Sequence, residues 1–152
     1  MKIIAHRGNV DGPSILENSP SSICYAIKSG FDVECDIRFI NGDIYLGHSK
    51  PEHKIDVDFL HEISSNAWVH CKNLEALHFL SDFKELNIFW HQEDDFALTT
   101  SKHIWTYPYN KLCKKSIMVM PPDSSVITDF DIFGVCTDYP YRIRKISPDV
   151  VI

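Results

Sequence analysis

The sequence has no basic run, no CxxC pair and no apolar stretch near the length of a membrane span, and each absence removes a class of function. Lysine and arginine total 15 against 21 aspartate and glutamate, a formal charge of −6, and nowhere do the cations cluster enough to follow a phosphate backbone. Nucleic-acid binding is therefore not expected. A transmembrane helix needs about 20 consecutive apolar residues, so no membrane span is expected either. The chain runs from Met1-Lys2 straight into Ile3-Ile4-Ala5-His6 without the apolar region of a signal peptide, which predicts a cytoplasmic protein. The five cysteines, at positions 24, 35, 71, 113 and 136, are odd in number and isolated, and read as reduced small hydrophobes rather than a disulfide or zinc framework. Cys35, Cys71 and Cys136 sit in candidate strands beside polar residues, and strand alternation predicts that they face away from them.

What is present is enough to fold. With 152 residues, 44% hydrophobic, 12% aromatic and 24% charged, the chain can bury a real core, and we expect a single domain over residues 1–152. There is no linker, low-complexity tract or clear repeat.

Strands and helices alternate along the chain. Lys2 to His6 is a short β-branched run that breaks at Gly8, and Ser19-Pro20 supplies an N-cap and a first-turn proline for a helix from about 20 to 29. Phe31 to Ile37 resumes an extended pattern, and Asn41-Gly42 turns it into a hairpin-like extension that ends at His48. Asp56 caps a short helix carrying Phe59, Leu60 and Ile63, and Ala67 to Cys71 reads as a third strand. Asn73 caps a run with Leu74, Leu77 and Leu80 on one face, and Leu86 to Trp90 is a fourth strand. Residues 103–107, 116–120 and 133–137 complete a set of about seven. The stretch 91–102 carries the weakest signal, a polar loop before one helical turn, with Glu93-Asp94-Asp95 as an exposed turn. Such alternation implies right-handed crossovers and a mostly parallel sheet, open or closed. A full (β/α)₈ barrel typically takes about 250 residues, so a barrel here must be compressed, with clipped helices or missing units.

The polar residues of interest fall at the C-terminal ends of these strands, the edge where parallel α/β folds bind ligands. His6 and Arg7 end strand one. Glu34 and Asp36 are two apart on strand two and share a face; His70 and Lys72 repeat that spacing on strand three, and Asp138 follows the last strand. Adjacent carboxylates repel, and a divalent cation is the commonest way to keep both ionised. Arg7 and Lys72 then provide donors for an anionic substrate, of which a phosphate is the best match. His6 and His48 are candidate acid and base, because phosphodiester cleavage needs one group at the attacking oxygen and another at the leaving one.

The segments His6-Arg7-Gly8, Glu17-Asn18, Glu34-Cys35-Asp36, Gly47-His48 and Thr137-Asp138-Tyr139-Pro140 resemble, in order and approximate spacing, the glycerophosphodiester phosphodiesterase family. The match is specific over residues 3–48, and beyond Lys72 only the TDYP segment is familiar. The resemblance implies a TIM-barrel fold, a role in lipid metabolism and hydrolysis of a glycerophosphodiester with one divalent metal, usually calcium or magnesium. It implies His6 and His48 as the acid/base pair, Arg7 as a phosphate ligand, Glu34 and Asp36 as metal ligands, and Glu17 and Asn18 in the pocket. The chain departs from the family in three places. His70 stands where a third metal-binding glutamate is usual, which leans the set toward manganese, iron or zinc if His70 is a ligand at all. Ser49 stands where an aspartate often follows the second catalytic histidine, so another group must orient His48. The chain is also short, without room for the insertion that commonly caps the glycerol side.

Alternatives stay open at this stage. Arg7 and Lys72 could neutralise Glu34 and Asp36 in a metal-free ion network, leaving an inactive module that binds a phosphorylated sugar or polyol. His70 could be structural or face the phosphate. Trp68, Trp90 and Trp105 read as core rather than a substrate platform, and His91 and Gln92 as a solvated loop rather than a pocket wall. A short barrel that leaves apolar surface exposed could also self-associate.

Overall fold

The structure is a computed structural model that describes residues 1–121, 127 and 130–146. Its ten strands are β1 (Lys2–Ala5), β2 (Asp32–Ile40), β3 (Asp43–Leu46), β4 (His53–Ile55), β5 (Ala67–Cys71), β6 (Asn87–Phe89), β7 (Phe96–Leu98), β8 (Ile104–Thr106), β9 (Ser116–Val119) and β10 (Gly134–Thr137). Four helices accompany them: α1 (Pro20–Lys28), α2 (Val57–Ile63), α3 (Leu74–Leu80) and α4 (Pro140–Ile146). Seven strands pair in parallel in the order β6-β5-β2-β1-β10-β9-β8. These are the seven that the apolar runs predict. β3 and β4 extend β2 as an antiparallel ribbon, and β7 folds back on β8.

The sheet curls into a compressed (β/α) barrel. Its seam lies between β6 and β8, which do not pair; there Thr100 substitutes for a strand, its amide donating to the Ile88 carbonyl at 3.0 Å and its hydroxyl accepting from the Ile88 amide at 3.0 Å. The compression is visible in the helices, which run to only 9, 7, 7 and 7 residues. No α-helix lies between β6 and β10 among the described residues. None of the described helices is long and apolar enough to cross a membrane.

Alternation along the strands splits the core in two. Ile4, Trp68, Phe89, Ala97, Trp105, Ile117, Val119 and Cys136 fill the inside of the curl. Ile3, Ala5, Val33, Cys35, Ile37, Val69, Cys71 and Val135 face outward under the helices, with Ile23, Leu60, Leu80 and Ile143 packed over them. Cys35 and Cys71 thus point away from the polar face as expected. Cys136 does not: it shares the parity of Asp138 and faces inward, so the expected orientation is corrected there. All five cysteines are free, but Cys113 is exposed rather than a buried hydrophobe.

The local signals act as expected at two helix starts. Ser19 Oγ accepts from the Ser22 amide at 3.2 Å, and Asp56 Oδ1 from the Phe59 amide at 2.9 Å. At α3 Asn73 occupies the cap position, but its side chain is spent elsewhere, accepting from the Phe39 amide and donating to the Phe39 carbonyl on β2. Leu74 of that helix is exposed, and Ala76 with Leu80 forms its buried stripe. The expected helical turn in 91–102 is replaced by β7, whose single inward residue is Ala97. Trp68 and Trp105 are buried as expected, and Trp90 is half-buried against the outer core.

Candidate functional site

Six of the site residues expected from the sequence, His6, Arg7, Glu34, Asp36, His48 and His70, line one cleft at the C-terminal edge of the parallel strands, and Glu17, Asn18, Lys72 and Asp138 stand around it, each beside one of the six. Its floor is the inner core, with Trp68 level with Glu34 and His70 level with Asp36 across β2 and β5. A third acid of the same parity, Asp32, sits at the opposite end of the barrel. There it pairs with Lys2 at 3.0 Å and accepts from the Trp68 indole at 3.1 Å, so it serves the fold.

The chain after β1 bends into one turn of 3₁₀ helix, His6–Gly8, with Arg7 at φ 52°. Such a conformation costs on the order of 1 kcal/mol for a non-glycine residue. It turns the Arg7 amide onto Glu34, donating to Oε2 at 3.0 Å. The Arg7 guanidinium then donates to Glu17 at 2.9 Å and lies 3.3 Å from Asp36. Gly8 is required next: at φ 77° a Cβ would stand 2.9 Å from the backbone of Ser22 and Ile23, where α1 approaches.

Asp36 is the hub. Its amide donates to Asn18 Oδ1 at 2.9 Å and its Oδ2 accepts from Asn18 Nδ2 at 2.9 Å, so Asn18, held at φ 58°, fixes the carboxylate from both ends. His48 Nδ1 lies 3.0 Å from the same Oδ2. The group that orients His48 in place of an aspartate at position 49 is therefore Asp36. Gly47 and Arg38 complete the placement, Arg38 donating to the His48 carbonyl at 2.6 Å. His6 has its own carboxylate, with Nδ1 2.8 Å from Asp138 Oδ1, and Asn9 bridges Asp138 and Glu17 from below at 2.8 and 3.3 Å. Neither the Asn9 bridge nor the Asp36–His48 pair is readable from spacing, because both depend on where two loops land.

Burial and charge act in opposite directions on these groups. Glu34 is fully enclosed, and loss of water, reinforced by the neighbouring Asp36 charge, pushes its carboxyl up. Burial works the same way on Asp36, but the hydrogen bond from His48, with the His70 imidazole close by, prevails and holds it well below the usual carboxylate range. For His6, burial disfavours the cation, yet the Asp138 hydrogen bond and the Glu34 charge prevail and raise it.

Glu34, Asp36 and His70 each turn one ligand atom into a common space, with these atoms within 4.8 Å of one another. Asp36 Oδ1 is buried and accepts no hydrogen bond, although His70 Nδ1 lies only 3.1 Å away and Lys72 Nζ 3.7 Å away. The other ring nitrogen of His70 faces the His91 carbonyl at 3.5 Å, which suits a protonated Nε2. Nδ1 would then direct a lone pair at two carboxylates, at 3.1 Å from Asp36 and 3.9 Å from Glu34, an arrangement that a cation between them satisfies. The donor set therefore fits a divalent metal.

The remaining walls are Trp105, Tyr107, Pro108, Val119 and Met120, enclosing about 270 Å³ with the charged groups. His91 belongs to this wall. Its ring stacks on His70 at 4.8 Å between centroids and meets Tyr107 at 4.2 Å, which corrects the expectation of a solvated loop. Burial lowers the His91 pKa to about 4, with the His70 and Lys72 charges adding to the shift.

Neither a protein-family model nor a curated protein sequence matches the chain. Solved structures do. A glycerophosphodiester phosphodiesterase from Parabacteroides distasonis superposes with a TM-score of 0.56 at 12% identity, covering 97% of each chain. A Galdieria sulphuraria protein that carries the same assignment provisionally gives 0.55 at 12% identity, covering 95% of this chain and 96% of its own. The seven parallel strands, the compressed barrel and this end-to-end likeness together give the chain the fold of the glycerophosphodiester phosphodiesterases.

Proposed function

We propose that the protein is a metal-dependent phosphodiesterase that cleaves a glycerophosphodiester or a similar alkyl phosphodiester by His/His acid-base catalysis. The observation that carries this reading is a pair of imidazoles, each held through Nδ1 by its own carboxylate, on the Glu34–Asp36–His70 group within one cleft. A carboxylate on Nδ1 fixes the tautomer and leaves Nε2 to exchange the proton.

Glu34, Asp36 and His70 would hold one divalent ion. The bound ion supplies Lewis-acid stabilisation of charge on a nonbridging phosphoryl oxygen. Arg7, anchored by Glu17 through one Nη and with Nε 3.3 Å from Asp36, would offer its charge to the phosphate. Lys72, at the end of β5, adds a second positive charge against the developing negative charge. One of His6 and His48 takes the proton from the nucleophile as the new P–O bond forms, and the other protonates the departing alkoxide as the old one breaks. If the nucleophile is water the products are an alcohol and a phosphomonoester; if it is a neighbouring substrate hydroxyl the product is a cyclic phosphate. Family resemblance favours magnesium or calcium, while the His70 nitrogen favours manganese or zinc.

The test is hydrolysis of bis(p-nitrophenyl) phosphate and glycerophosphocholine in calcium, magnesium, manganese and zinc, with a chelator control. Metal-dependent release that is lost in both His6→Ala and His48→Ala, each still folded, is the expected result. Wild-type rates in both variants would overturn the mechanism. A second reading has one observation in its favour: Asp36 already lies within 4.0 Å of Arg7, His48, His70 and Lys72, as a metal-free ion network requires. On that reading the protein binds a phosphorylated sugar or polyol without turnover, and binding of such a ligand in chelator with no product in any metal would select it.

A further inference from the structure

His91 takes no part in the chemistry above, yet its ring is packed into the cleft without a polar bond to hold it. Its Nδ1 is buried and has no hydrogen-bond partner among the described residues. What surrounds the ring is aromatic. On one side it lies against Tyr107, with centroids 4.2 Å apart; on the other it stacks on His70 at 4.8 Å and 18° between planes. Phe89 also stacks on His70, 4.9 Å away and 9° from parallel, and Phe89 in turn stacks on Trp105 at 4.5 Å. The five rings Trp105, Phe89, His70, His91 and Tyr107 form one continuous cluster in which both Phe89 and His91 stack on His70. Phe89 stands opposite His70 in the β5–β6 register, so one contact is set by the sheet; the other is supplied by the loop after β6.

We infer that His91 is a positioning residue for His70, fixing the plane of its imidazole so that Nδ1 is aimed at the Glu34 and Asp36 carboxylates. This rests on the proposal that those three residues hold a metal. The physical reason lies in the ligand type. A carboxylate offers two oxygens with several lone pairs and tolerates a change of angle, whereas an imidazole nitrogen offers a single lone pair in the ring plane. A histidine ligand must therefore be held in plane as well as in place. The contact from His70 Nε2 to the His91 carbonyl, at 3.5 Å, is too long to hold the plane by itself, and ring stacking does here what a shorter hydrogen bond does around metal-bound histidines. His91 thus suits the site to metals that accept nitrogen ligands.

The experiment is calorimetric titration of the metal-stripped protein with Mn²⁺ and with Mg²⁺, for wild type, His91→Ala and His91→Phe. Each variant keeps the backbone carbonyl; only the phenylalanine keeps a ring against His70. We expect His91→Ala to weaken Mn²⁺ binding about 10- to 100-fold, the range for loss of a group that orients a ligand. His91→Phe should restore most of it, and Mg²⁺ affinity should change far less. Tight Mn²⁺ binding in wild type that is unchanged in His91→Ala would overturn the inference and leave the metal reading intact. So would a His91→Phe protein that is folded by circular dichroism but binds no better than His91→Ala. A wild type that binds neither ion would overturn the metal reading, and this inference with it.

Discussion

At the scale of single residues, the site is a set of carboxylates with divided duties. Asp138 serves His6 and Asn9, Asp36 serves His48 and Asn18 with His70 beside it, and Glu34 receives the Arg7 amide. Replacing Glu34 by Gln removes a charge from the proposed metal group, and calorimetry should record a Mn²⁺ affinity lower by at least tenfold; unchanged binding would favour the ion network. Asp138 gives a prediction in pH. Burial pushes its carboxyl up, but hydrogen bonds from His6 and Asn9 bring it to a net value below normal. A carboxyl depressed in the folded state stabilises the fold above its unfolded pKa of about 4, and that stabilisation fades as pH falls through the folded value. The difference in urea midpoint between wild type and Asp138→Asn should therefore be largest near pH 7 and shrink below pH 4, whereas a pH-independent gap would mean that the charge contributes nothing. These assignments are only half legible from sequence. Residue types and strand parity place Glu34, Asp36, His70 and Lys72 on one edge, but nothing in the spacing says that Asp36 holds His48 or that His91 folds over His70, because loop paths decide both.

At the scale of elements, the strands that were legible are those rich in apolar and β-branched residues or, as in β2, with apolar residues alternating with acids. β4 and β7 were not, since each is three residues long and buries one side chain, too short for an alternation to register. α3 shows a competing use of a cap residue: Asn73 has the right identity and position, but two bonds to the Phe39 backbone hold its side chain on β2. The β3–β4 connection carries the most consequential turn, because it delivers His48. Gly47 there has φ 144°, and a Cβ would stand 2.1 Å from the Lys50 carbonyl oxygen. Gly47→Ala should cost about 1–3 kcal/mol of stability and lower turnover by displacing His48. Gly42→Ala is the control, at φ 87° with no atom within 4 Å of the new methyl. Equal losses in the two variants, measured by denaturant titration and by rate, would show that the crowding at Gly47 has no effect.

At the scale of the whole molecule, the described residues place no α-helix between β6 and β10, yet the polar edge of the barrel is complete. Seven parallel strands were readable from the sequence because apolar and β-branched residues recur in each between turn signals, in β2 alternating with acids; the seam at Thr100 was not, since it is made by a loop. If a divalent ion binds the folded state alone, saturation at about 100 times its dissociation constant adds about 2.7 kcal/mol. For a chain of this size that should raise the melting temperature by roughly 5–10 °C, reversed by chelator; a melting curve indifferent to Mn²⁺ and to chelator would count against a metal in the cleft. The insertion of β10 between β1 and β9 has a consequence in time. His6 meets Asp138 across 132 residues of chain, so the imidazole that stands ready at the first strand acquires its partner only when the last strand docks. On the proposed mechanism, a chain emerging from the ribosome lacks the His6–Asp138 contact until β10 docks, and the appearance of activity during refolding would be a clock for that pairing step rather than for collapse.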